Sequence, residues 1–343
     1  MTAVDSTALP RALPSPRSPL VGRPDGAVVA APPAGTGRGR AFVRGLLLIG
    51  LALAFVLTCA RVGLPTDRVV LLGWVIAGVA VFAVTDGVRR VGRLLADWLP
   101  LAAVLLAYDA SRGLADGLGA TVHVTEPAAA DRWLAGGALP TVVLQQYWTA
   151  PWWEALATLV YASHFVVTPR VLGVLWVRNR PRWGRYAGLV VGRSAAELAT
   201  YVLYPAAPPW LAAKSGVIEP VQRLSGAGWE VLGLPRAGAL LAESQGQVNP
   251  VAAVPSLHTA FAVLACLLLY PVAKRAWQRA GLVVYPVLMA LVLVWSGEHY
   301  VIDTLLGAAY AVGVVAVAAR LRPAATGLLA ALRRPRVLPT VVG

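Results

Sequence analysis

Charge is scarce in this chain. Of its 343 residues only 13% are charged, whereas 58% are hydrophobic. A soluble domain has too little interior to hide that much apolar surface, so an ordinary water-soluble enzyme is excluded and a membrane-embedded protein is indicated. Cysteine is nearly absent. Cys59 and Cys266 are the only two, each inside an apolar run, which excludes a disulfide framework and a cysteine-based metal site. Acidic residues number 16 against 30 lysines and arginines. That excess would suit nucleic acid if it formed a stripe interleaved with aromatics. The basic residues instead punctuate apolar runs, and no nucleic-acid partner is expected. No internal repeat is evident. A cleavable signal peptide is not expected either, because the first apolar run starts only after residue 44 and no small-residue cleavage site follows it.

Residues 1–40 hold seven prolines with several glycines and arginines and no hydrophobic period, the composition of a disordered tail. Beyond it, apolar runs of the roughly 20 residues needed to cross a ~30 Å hydrocarbon core occur at 43–61, 69–86, 94–111, 153–177, 186–205, 253–272, 281–297 and 300–319. Nothing calls for strands, and helices satisfy their own backbone in lipid. The expected fold is an all-α polytopic membrane helix bundle with about eight transmembrane helices.

Basic residues orient it. With the N-terminus in the cytoplasm, 21 of the 30 lysines and arginines fall in alternate, inner segments, and seven in the outer ones. That bias follows the positive-inside rule and puts both termini inside. His258 and His299 then stand at the outer ends of their spans, beside two long outer segments, 112–152 and 206–252. Trp133, Trp148, Trp152, Trp153, Trp210 and Trp229 in or beside those segments suit an interfacial belt. The expected location is the plasma membrane, with the chemistry facing out.

Two stretches carry that chemistry. In "WSGEHYVIDTLLG", His299 and Asp303 are four apart, hence expected on one face of a helix. A carboxylate holding one ring nitrogen leaves the other basic and aimed, as a nucleophilic histidine requires. Ionisable groups at membrane depth are costly and mark function. In "VPSLHTAF", a helix is expected to start at Pro255 or Ser256, with the amides of Ser256, Leu257 and His258 free to hold an anion. His258 then stands beside the anion as an acid for a leaving oxygen.

The pair "PSLH" and, 41 residues on, "HYVID" resembles the type-2 phosphatidate phosphatase superfamily, and most closely its inositol phosphorylceramide synthase-like branch. The resemblance covers about residues 94–320 and implies a six-helix catalytic core there. Residues 41–93 then form two accessory helices, and 1–40 and 321–343 are cytoplasmic tails. It further implies that His299 becomes phosphorylated, Asp303 orients it, His258 is the general acid, and neither metal nor cofactor takes part. The implied substrate is a lipid phosphate or phospholipid headgroup.

The chain also departs from the commoner family pattern. Leu257 stands where glycine is usual and Leu293 where an arginine is usual. The family's first motif, a lysine and then Arg-Pro seven residues on, is missing: "RNRPRW" offers Arg180–Pro181, but position 173 is glycine and the loop is an inner one. The phosphate clamp therefore has to be sought among outer cations: Arg112, steadied by Tyr108 and Asp109, then Lys214 and Arg223. His164 is expected as a packed histidine near the cavity. Arg193 and Glu197 form an intramembrane pair that serves structure. Rival readings are a phosphatase using water as acceptor, a transporter coupled through Arg193–Glu197, a catalytically dead interaction protein, and a zinc hydrolase built on the two histidines and Asp303.

Overall fold

The computed structural model describes residues 35–62, 68–115, 121–236, 238–239 and 249–333. Residues 1–34 of the expected tail at 1–40, and the segments 240–248 and 334–343, lie outside the described residues. Helices dominate. In chain order they are α1 (Gly35–Val62), α2 (Arg68–Asp86), α3 (Val88–Ala115), α4 (Thr125–Leu134), α5 (Pro140–Tyr147), α6 (Pro151–Arg178), α7 (Arg180–Leu203), α8 (Pro209–Lys214), α9 (Gly228–Val231), α10 (Leu257–Leu269), α11 (Ala276–Trp295) and α12 (Val301–Arg333). Among the described residues β structure is confined to isolated bridges, His123 to Ala206 and Ala206 to Ala252. The chain is an all-α, multi-pass membrane bundle. Two boundaries differ from expectation: α1 already begins at Gly35, and α12 stays helical to Arg333.

Stretches of α1, α3, α6, α11 and α12 are long and apolar enough to cross a membrane, and α2 and α10 are shorter apolar helices. Each coincides with an apolar run of the sequence. The 24-residue α7 fills the place of the run at 186–205. Its hydropathy is diluted by Arg193 and Glu197, which are fully buried and paired at 2.7 Å. Such a pair survives inside a bundle because each charge neutralises its partner, and removing one partner costs about 3–5 kcal/mol.

Two clusters hold the bundle at opposite ends of α6. Around Trp176 gather Trp98, Trp183, Tyr186, Leu264 and Ala311 from α3, α7, α10 and α12. That end is pinned by Asp97, which accepts two bonds from Arg180 at 2.6 Å and one from the Trp176 indole at 2.9 Å. Around Trp153, at the other end, pack Tyr161, Trp229, Met289, Leu293 and Trp295. Trp153 stands edge-on to both Trp148 and Trp295, and the Trp295 indole donates to the Trp148 carbonyl at 2.9 Å. Of the expected tryptophan belt, Trp133 and Trp152 remain exposed, whereas Trp153 and Trp229 are buried as core. The short helices α4, α5, α8 and α9 close over this end of the bundle.

Candidate active site

The turn between α11 and α12 builds half of the site. α11 stops because Gly297 adopts φ +75°, a left-handed conformation that glycine takes without penalty. The Glu298 amide then reaches back to the Leu293 carbonyl at 3.1 Å and that of Gly297 to Val294 at 3.2 Å, the Schellman closure of a helix end. Glycine is needed there twice over, since a Cβ would also lie 2.7 Å from the Gln222 carbonyl oxygen.

His299 therefore precedes α12 rather than riding on it, which corrects the expectation that His299 and Asp303 share a helix face. Asp303 sits in the first turn of α12 and reaches back. Its Oδ2 accepts the Tyr300 amide at 2.8 Å and faces Nδ1 of His299 at 3.4 Å. The backbone reason is helix capping: a carboxylate in the first turn takes up an amide that the helix leaves without an intrahelical partner. Asp303 is fully buried and His299 5% exposed. With Nδ1 turned to the carboxylate, Nε2 is the nitrogen left to react. The 3.4 Å separation exceeds the roughly 3 Å of a well-formed hydrogen bond, and catalytic contacts of this kind tighten once substrate is bound.

The second half is the start of α10. Ser256 is its cap: the hydroxyl accepts the Thr259 amide at 3.4 Å and the Thr259 hydroxyl at 3.2 Å, and the residue is fully buried. Its own amide donates to the Asp303 carbonyl at 2.9 Å. The expected three-amide anion site is thus corrected, because the Ser256 amide is committed to tying α10 to α12. Two further bonds fix this segment from α7. Tyr201 donates to the Pro255 carbonyl at 2.9 Å and Arg193 to the Leu257 carbonyl at 3.0 Å, while the guanidinium of Arg193 lies 3.5 Å over the Phe261 ring. Arg193 and Glu197 therefore anchor the residue immediately before His258.

So held, the His258 ring lies 5.8 Å from the His299 ring. Tyr161 stacks on it at 4.9 Å and His164 lies at 4.1 Å, both from α6. His258, His299 and Asp303, distant in sequence, meet in one place. His164 belongs to the same cluster more closely than its expected packing role implied. Among the described residues, no three His, Cys, Asp or Glu side chains converge as a metal-ligand set.

Of the expected cations, Arg223 reaches the cluster. Its guanidinium pairs with Glu298 at 2.8 Å, interacts with Tyr161, and lies 4.9 Å over Trp210. Ser225 donates to the same Glu298 oxygen at 2.5 Å. Arg223 thus touches the neighbours of both histidines. Lys214 ends α8 and is exposed. Arg112 lies on the last turns of α3, but its side chain and that of Asp109 lie outside the described residues. Tyr108 lines a cavity together with His164.

One contributor was not anticipated. Asp131 of α4 is fully buried and accepts the amides of Val301 and Ile302 at 2.8 and 2.9 Å. A carboxylate from a distant segment thereby caps the helix that carries Asp303. Burial raises its pKa from 3.8 to about 6, against the two amide bonds, which lower it, and with a further rise from the nearby Asp303 charge. Nothing in the sequence set it apart, since Asp116 and Glu126 lie in the same outer segment.

Residues 128–317, more than half of the chain, match the PAP2 superfamily. The chain belongs to that superfamily. The matched region starts within α4 and ends within α12, so it contains all three expected triad residues and leaves α1 to α3 outside. Over 139 residues the chain is 34% identical to a phosphoinositol dihydroceramide synthase of Bacteroides thetaiotaomicron; the match covers 38% of this chain and 43% of that protein. No solved structure matches the chain.

Proposed function

We propose that this PAP2 member is a membrane phosphotransferase that moves a phospho-polar headgroup from a phospholipid to an alcohol, by way of an intermediate on His299. The observation that carries the reading is the meeting of His299, backed by Asp303, with His258 at 5.8 Å, inside a PAP2-matched bundle. In the first displacement Nε2 of His299 forms the bond to phosphorus. The ester bond to the leaving lipid alcohol breaks, and His258 gives that oxygen its proton. In the second, the acceptor hydroxyl attacks phosphorus, His258 recovers a proton, and the nitrogen–phosphorus bond breaks. Charge that spreads over the phosphoryl oxygens needs fixed cations nearby. The contacts of Arg223 with Glu298 and Tyr161 support it in that role, and Arg112 shares the candidacy. This chemistry draws on side chains alone and uses no metal.

The similarity to a phosphoinositol dihydroceramide synthase supports an inositol-bearing headgroup and a long-chain alcohol acceptor. The segregation of basic residues supports a site at the outer leaflet of the plasma membrane with both termini in the cytoplasm. A phosphatase, with water as acceptor, is the alternative the same residues allow. Partitioning separates the two. Purified protein is given phosphatidylinositol with a rising concentration of a lipid alcohol, and products are identified by mass. A phosphotransferase yields the alcohol's phosphoinositol ester at the expense of inositol phosphate. Unchanged inositol phosphate release across a series of alcohols would establish the phosphatase.

A further inference from the structure

A cavity of about 140 Å³ opens between α2, α3, α6, α7 and α10. Its wall includes Leu71 and Leu72 of α2, Leu105 of α3, Leu172 of α6, Val190 of α7 and Phe261 of α10. His164 also lines it, and that same ring lies 4.1 Å from His258. One imidazole thus separates an apolar chamber from the reacting pair. The rest of the lining is apolar apart from Tyr108, Thr168 and Ser194, and a largely apolar cavity of roughly this size accepts a six-carbon hydrocarbon. A headgroup bearing phosphate and hydroxyls would lose its water there without enough partners. Its depth is informative too. Leu172 lies eight residues past His164 on α6, roughly 12 Å along the helix axis. The chamber therefore runs from the level of the histidines well into a ~30 Å hydrocarbon core.

A phospholipid with its phosphorus at His299 and its leaving oxygen at His258 must send its chains from that level into the hydrocarbon. We infer that the chamber holds the stretch of acyl chain nearest the glycerol of the donor phospholipid. We further infer that α2 and α3, which precede the superfamily-matched region, set which chain shapes are accepted. This rests on the reading of the site as a lipid phosphotransferase. Selection here is by shape. A chain leaving the bilayer for the chamber exchanges one apolar surrounding for another and gains no hydrophobic free energy, so the fit against Leu72 and Leu105 decides.

The test uses full-length protein in detergent with phosphatidylinositol carrying a diazirine near the carboxyl end of one acyl chain. Leu172 and Val190 are each 1% exposed, so bulk lipid does not reach them and only a chain inside the chamber labels them. Photolabel at these two residues, lost in Leu105→Trp, is the expected result. Turnover gives a second readout. Leu105→Trp lowers kcat/KM for the dioleoyl lipid about tenfold or more, mostly through KM, and lowers it far less for an aryl phosphoinositol diester, which carries no acyl chain; thermal unfolding at the parental midpoint shows that the variant folds. Turnover with the label elsewhere, or equal loss on both substrates, overturns the chamber assignment while the phosphotransferase reading stands. Label at Leu172 and Val190 with no turnover of any phospholipid leaves the chamber standing and sinks the phosphotransferase reading.

Discussion

Gly307 is where the two halves of the site touch. A Cβ placed on it would lie 2.3 Å from the carbonyl oxygen of Ser256 and 3.2 Å from its carbon. Both are backbone atoms, so no side chain can swing aside. Ordinary contact starts near 3.4 Å, so Gly307→Ala drives α12 and the start of α10 apart by about 1 Å in a bundle packed without slack. The Ser256 amide, now 2.9 Å from the Asp303 carbonyl, loses its bond, and His258 is displaced relative to His299. Overpacking costs about 1–3 kcal/mol, and replacing a glycine within a helix returns roughly 0.5–1 kcal/mol. The net destabilisation is therefore small. A 1 Å misplacement of reacting groups, by contrast, costs on the order of a hundredfold in rate, equivalent to about 2.7 kcal/mol of barrier. The expected outcome is a folded protein with about one-hundredth of parental kcat on a chromogenic aryl phosphate ester. Thermal unfolding in the same detergent supplies the stability readout. The control is Gly313→Ala, on the same helix, where a Cβ meets nothing within 4 Å. Equal activity in the two variants would refute the reasoning.

Other consequences follow from the same geometry. Asp131 has a folded-state pKa of about 6, above its ordinary 3.8, so the folded protein holds this proton more tightly than the unfolded chain. Its contribution to stability is full below pH 3.8 and is lost as pH rises through about 6, by an amount on the order of 2–3 kcal/mol. Asp131→Asn should flatten that part of the stability–pH curve, leaving the variant at least as stable at pH 8 but slower; a curve still matching the parent's would discount the assignment. Arg223→Ala should lower kcat/KM roughly ten- to a hundredfold, as loss of a charge-assisted contact does, with Lys214→Ala near parental; if Arg112→Ala alone is impaired, the clamp is on α3. For topology, single cysteines at Trp133 and Trp277, 82% and 66% exposed, are introduced after Cys59 and Cys266 are replaced. An impermeant maleimide should label the first in intact cells and the second only after lysis, and the reverse pattern would invert the orientation.

The bundle was legible because hydrocarbon imposes a length. Each apolar run of the sequence became a helix, including α7, whose buried Arg193–Glu197 pair was readable from its spacing of four. His258, His299 and Asp303 were legible as motifs, but the local geometry was not. A four-residue spacing does not reveal that Gly297 ends α11 and leaves His299 outside the next helix. Ser256 read as an anion-binding residue because its partner, the carbonyl of Asp303, lies 47 positions away and only packing unites them. Asp131 and Arg223 were harder still. Asp131 caps amides 170 and 171 residues distant, and Arg223 meets Glu298 across 75. No periodicity records contacts of that range.

The central claim is that His299 carries the phosphoryl group between donor and acceptor. An aryl ester leaves without a general acid, so His258→Ala should still form the intermediate and then lack the base that helps the acceptor resolve it. The decisive measurement is mass spectrometry of His258→Ala, quenched at alkaline pH after a short exposure to an aryl phosphoinositol diester. The account predicts the phosphoinositol mass on the peptide containing His299, absent when His299→Ala is added. An adduct on any other residue, or turnover by His299→Ala at the parental rate, would contradict it.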